Sequence, residues 1–157
     1  MLEVSGKSSK TQQASQKYAN FEKPTDLGGK KDHHLFDEED KYYDDLQNSW
    51  FGLSCKKGGW DSLRNYEIIA SGTLLLYRDF TKKPILCAPQ DLPTISYSSP
   101  RQLKKIMKKL VIDNKPSEKY LRLLRAQREW LYRYGTTTSR AANILRVMQN
   151  NSKTLKN

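Results

Sequence analysis

The stretch WFGLSCKKGGWDSLRNYEIIASGTLLLY, Trp50 to Tyr77, decides how the chain is read. Trp50 to Cys55 is a short apolar run with strand character. Lys56-Lys57-Gly58-Gly59 is a basic, glycine-containing turn. Asp61 to Ser71 predicts a helix closed by Gly72, and Thr73 to Tyr77 a second apolar strand. Strand, glycine turn, helix and strand in that order predict a βαβ unit with its two strands parallel.

Working outward, Asp37 to Asn48 predicts an acidic helix packing through Leu35, Phe36, Tyr42, Tyr43 and Leu46. Its six carboxylates read as a solvated face rather than a metal cluster. The first 31 residues are rich in Ser, Lys, Gln and Gly with no apolar period, and read as a mobile leader. His33-His34 beside it lacks further ligands at metal-binding spacing. After Tyr77, four prolines divide the chain into short extended pieces, with Ile85–Ala88 and Thr94–Tyr97 as edge strands or ordered loop.

Ser99-Pro100 is an N-cap followed by proline at the first helical position. The helix it opens runs to about Asp113, with Leu103, Ile106, Met107, Leu110 and Val111 as its apolar stripe. A second helix restarts at Asn114–Ser117 and runs to Tyr134, with Tyr120, Leu124, Gln127, Leu131 and Tyr134 on one face. Gly135 ends it. Thr136 to Thr138 caps a last helix with Ala141, Ile144, Leu145 and Met148 facing inward, and the chain frays from Asn150.

The 157 residues carry a net charge of +11, and the imbalance is local: residues 101–157 hold +12 while residues 37–45 hold −5. Cys55 and Cys87 sit in apolar, strand-like settings, which suits buried free thiols better than a disulfide framework. No run reaches the ~18 apolar residues of a membrane span. The start lacks a signal core, so an intracellular, cytoplasmic location is expected.

Three groups of residues could carry chemistry. Glycines just before a helix let backbone N–H groups approach an anion, and Lys56 and Lys57 add full charges, so the turn suits a phosphate or diphosphate. No Walker lysine-serine pair and no GxGxxG follow, which excludes a P-loop or dinucleotide fingerprint. Arg64 and Glu67 share a face one turn beyond the glycines. They either bridge each other or serve a ligand. Cys55 has lysine neighbours but no histidine near in sequence, so strand burial is the better reading of it.

RNYEIIASG, Arg64 to Gly72, followed by the Thr73–Tyr77 strand, resembles the donor-binding signature of GT-B glycosyltransferases, in its group 1 and exostosin-like form. The upstream lysine-and-glycine turn fits that form. Leu74 stands where many members have proline. The resemblance implies a partial Rossmann-like donor-domain unit over residues 32–149, between a disordered leader and a frayed tail at 150–157. It implies binding of a nucleoside-diphosphate sugar, transfer of the sugar to a glycan, protein or lipid acceptor, and no separate cofactor or metal. Glu67 would meet the ribose hydroxyls. Lys56, Lys57, Gly58, Gly59 and Arg64 would lie near the diphosphate, and Gly72 would let the helix close on the sheet. The acceptor half of such an enzyme would be a further, N-terminal domain. The basic last third supports a different class, a nucleic-acid-binding α/β module without catalysis.

Overall fold

The computed structural model describes residues 38–154, with side chains to residue 149. The expected leader, His33-His34, Leu35, Phe36 and Asp37 lie outside the described residues.

The fold is mixed α/β, built on a three-stranded parallel sheet in the order β1 (Phe51–Cys55), β2 (Leu74–Arg78), β3 (Ile95–Tyr97). Phe51 pairs with Leu74 and Cys55 with Arg78, so the βαβ reading of the opening stretch holds. β2 is apolar on both sides, with Leu74 through Tyr77 fully buried, as a strand covered on both faces must be. Leu74 and Leu76 join Phe51, Leu53 and Tyr97 on one face. Leu75 faces the other way, with Ile68, Ile69 and Leu46.

Helix α1 (Glu39–Gln47) precedes β1, and α2 (Leu63–Ala70) crosses from β1 to β2. α2 lies close to the sheet because Gly52 has no side chain: a Cβ there would stand 2.8 Å from Ile68 Cγ1. The helix ends in a Schellman turn. Gly72 takes a φ of +72°, its N–H reaches Ile69 O at 3.0 Å, and Thr73 N–H reaches Ile68 O at 3.2 Å. Gly72 therefore closes the helix, as the pattern predicts.

On the opposite face lie α3 (Pro100–Leu110) and the first turns of α4 (Glu118–Trp130). Ser99 caps α3 by accepting from Gln102 N–H at 3.3 Å. The helix stops earlier than its apolar stripe suggests. Val111–Ile112 (β4) and Lys115–Pro116 (β5) form a two-residue-loop hairpin instead, turning at Asp113 and Asn114 with φ of 48° and 59°. β-branched residues favour the strand, and Asp-Asn tolerates the two left-handed positions such a turn requires.

α4 brings Gln127 into the sheet. Gln127 Oε1 accepts from Leu75 N–H, and its Nε2 donates to Leu75 O and Pro93 O, each at 2.9 Å. β3 begins opposite Leu76, so the Leu75 backbone has no strand on that side. The buried amide, with Thr94 Oγ1 donating to Leu75 O at 2.8 Å, takes the place of the missing strand.

α4 runs on through one π-helical turn, Leu131–Gly135, before α5 (Thr137–Thr154) leaves the domain. Here the reading needs correction. Ala141, Ile144, Leu145 and Met148 are exposed and not turned inward, the last three at 59–60 %. The backbone stays helical to Thr154. The thiols also differ from expectation: Cys55 ends β1 and Cys87 closes a turn, and both are only half-buried.

Candidate functional site

Three loops leave the carboxyl ends of the parallel strands: Lys56–Ser62 after β1, Asp79 onward after β2, and Ser98-Ser99 leading into α3. In open α/β sheets this edge receives ligands.

The loop after β1 is held at its far end and open over Lys56–Gly59. The pin is Trp60, whose carbonyl accepts from Tyr77 Oη at 2.8 Å and from Asn65 Nδ2 at 3.2 Å. Asn65 is fully buried within α2, and its Oδ1 accepts from Ser54 Oγ at 2.6 Å. The Trp60 ring stacks on Tyr77 at 6.0 Å, and Lys56 Nζ lies 5.6 Å from the Trp60 ring centre. Burial of Tyr77 pushes its hydroxyl up to about 12, so it remains a donor throughout the neutral range.

Lys56, Lys57, Gly58 and Gly59 themselves are exposed. The fold does not require these two glycines. A Cβ at Gly58 would meet nothing within 4 Å, one at Gly59 would meet only backbone at 3.9 Å, and neither residue has a positive φ. The turn thus offers bare backbone to open space beside two lysines.

The start of α2 is suited to an anion. Ser62 makes no side-chain cap, and the first turn holds no acidic residue. No residue of the helix itself compensates the positive end of its dipole there. Asp61 is directed elsewhere: it accepts from Tyr66 Oη at 2.7 Å and pairs with Arg140 at 3.9 Å.

Glu67 stands one turn further along α2, and its partner is neither Arg64 nor solvent alone. Glu67 Oε2 accepts from Tyr42 Oη of α1 at 2.7 Å. Burial first, then this bond, pushes the Tyr42 hydroxyl up, while the nearby Arg64 guanidinium opposes the shift. Arg64, Glu67 and Tyr42 therefore form one half-buried group between α1 and α2. Gly72 lies at the far end of α2, roughly 12 Å along the axis of an eight-residue helix.

Lys56–Gly59 and Arg64 are thus brought to one edge, Glu67 sits a turn behind them, and Gly72 acts at a distance through helix closure. The Ser54–Asn65–Trp60–Tyr77 pin was missed, though the signal exists: Asn65, Ile68 and Ile69 share the i, i+3, i+4 spacing of a buried face. Among the described residues no group of three or more His, Cys, Asp or Glu side chains is placed to hold a metal ion, and no helix is long and apolar enough to cross a membrane.

The chain matches no protein-family model, no curated protein and no solved structure.

Proposed function

We propose that this α/β unit binds the diphosphate of a nucleoside-diphosphate sugar at the Lys56–Gly59 turn, as the donor-binding region of a GT-B-type glycosyltransferase. The observation that carries the reading is the turn itself. It is basic, it lies at the carboxyl edge of a parallel sheet, and its glycines answer no demand of the fold. Backbone N–H groups of Gly58 and Gly59 would approach the phosphate oxygens, with Lys56, Lys57 and Arg64 neutralising the charge on the departing diphosphate. Glu67 keeps Oε1 for a ribose hydroxyl while Tyr42 holds Oε2. Sugar transfer would further require an acceptor-binding half facing this edge.

The test is calorimetric titration of the chain with UDP, GDP and ADP, each against its monophosphate and nucleoside. Diphosphates should bind tightest. Replacing Lys56 and Lys57 together by Ala should weaken them by about ten- to a hundredfold, the worth of roughly 1.5–3 kcal/mol in charge-assisted bonds. Equal affinity for nucleoside and diphosphate, or no effect of the lysine changes, would reject the reading.

A second reading rests on α3. Its Lys104, Lys105, Lys108 and Lys109 are all exposed on one helix, as a nucleic-acid-binding face would present them. That reading requires duplex affinity that falls with salt at about −0.9 per phosphate contacted.

A further inference from the structure

Among the described residues, the contacts that tie the last helix to the domain gather at its root. Thr136 caps it, its Oγ1 accepting from Ser139 N–H at 3.1 Å. Arg140 lies 4.8 Å from the Tyr66 ring centre and reaches Asp61. From Ala141 to Gln149 every side chain is exposed. Ile144, Leu145 and Met148 share one face by helical spacing, with Val147 flanking them, at 50–60 % exposure. Two tyrosines at the root, Tyr132 and Tyr134, are also exposed, at 59 % and 47 %.

The charge on this segment has one sign. Residues 130–157 hold Arg133, Arg140, Arg146, Lys153 and Lys156 and no acidic residue. We propose that α5 is an interfacial anchor that lies along an anionic lipid surface, independent of the nucleotide reading. An amphipathic helix with an aliphatic face, basic residues and tyrosines near one end has the chemistry that a headgroup boundary accepts. Two copies pairing through α5 would bring like charges together. A nucleic-acid duplex would take the cations but leave the aliphatic face in water. An anionic bilayer takes both at once. The 18 residues of α5 extend about 27 Å, enough to lie in the plane of the surface.

The experiment is sedimentation of the full chain with vesicles of phosphatidylcholine alone and of phosphatidylcholine mixed with phosphatidylserine. Binding is expected to the mixed vesicles, weakening as salt is raised. Ile144→Asp and Leu145→Asp should abolish it, and Arg146→Ala should lower partitioning about fivefold, the effect of one basic residue near such a surface. Since these side chains are exposed, melting curves of all three variants should match the parent. Three results would overturn the proposal: no sedimentation with mixed vesicles, sedimentation that survives both Asp variants, or a concentration-dependent dimer lost in Leu145→Asp. Duplex binding that survives both Asp variants, with no vesicle binding, would assign the basic charge to nucleic acid instead.

Discussion

The Tyr42–Glu67 bond separates a packing role for Glu67 from a ligand role, and a double-mutant cycle can measure it. The perturbations are Tyr42→Phe, which removes the donor, Glu67→Gln, which removes the charge, and both together. A hydrogen bond to a charged group contributes about 1.5–3 kcal/mol. At 2.7 Å the bond is well made, but both residues are only half-buried, so water replaces part of what is lost. The coupling expected is therefore about 1 kcal/mol, below that range. For a domain of this size each single change should lower Tm by roughly 3–6 °C. Thermal melts at neutral pH give the stability side of the cycle, and nucleotide isotherms on the same four proteins give the binding side. If Glu67 serves the ribose, Glu67→Gln weakens nucleotide by about ten- to a hundredfold. Tyr42→Phe then has a smaller effect, through loss of carboxylate orientation. The reasoning fails if Glu67→Gln lowers stability by more than about 3 kcal/mol, as breaking a buried ion pair does, while nucleotide affinity is unchanged.

Two glycines with opposite surroundings should respond differently to alanine. Gly52→Ala drives a methyl into Ile68 and should cost about 1–3 kcal/mol in urea unfolding, whereas Gly58→Ala should change stability by less than about 0.5 kcal/mol; similar costs would show that the turn is not open. Gln127→Leu keeps the volume but strands the buried Leu75 N–H, and should lower unfolding free energy by about 2–4 kcal/mol, with parent-like stability as the contrary result. Tyr66 and Tyr77 have hydroxyls pushed up to about 12 by burial, and Tyr42 and Tyr120 are raised by burial as well. Their folded values lie above the unfolded value of about 10, so the stability they contribute is full below pH ~10 and is lost as pH rises toward 12. Melting temperature should fall steeply across that window and less steeply in Tyr66→Phe; a flat profile would contradict the burial of these rings.

What could be read in the sequence was what local pattern encodes. The βαβ unit follows from apolar runs of strand length separated by a turn and a helix-length segment, and Gly72 closes its helix as such a residue does. The third strand was only half visible, because three residues of Ile-Ser-Tyr carry little period of their own. The hairpin between α3 and α4 was hidden because Val111 continues the apolar stripe of the helix before it. α5 misled for a different reason: periodicity reports that a face is apolar and is silent on what covers it. At the site, residue types marked the lysine-glycine turn, but the donor to Glu67 comes from 25 positions away, which no short motif contains.

Gln127 meets Leu75 across 52 positions and Pro93 across 34. As the chain leaves the ribosome, β1, α2 and β2 are complete well before α4 exists. Until then the Leu75 N–H lacks the Gln127 acceptor, although Thr94 can already reach Leu75 O, and an unpaired strand group invites a strand from another chain. A fourth strand would close it permanently but would also leave a new edge of its own. An amide side chain leaves no edge, since it satisfies Leu75 and Pro93 and cannot be extended by another strand. The interval between synthesis of Tyr77 and arrival of Gln127 is thus a period in which the Leu75 N–H is open to wrong pairing, and the glutamine ends it.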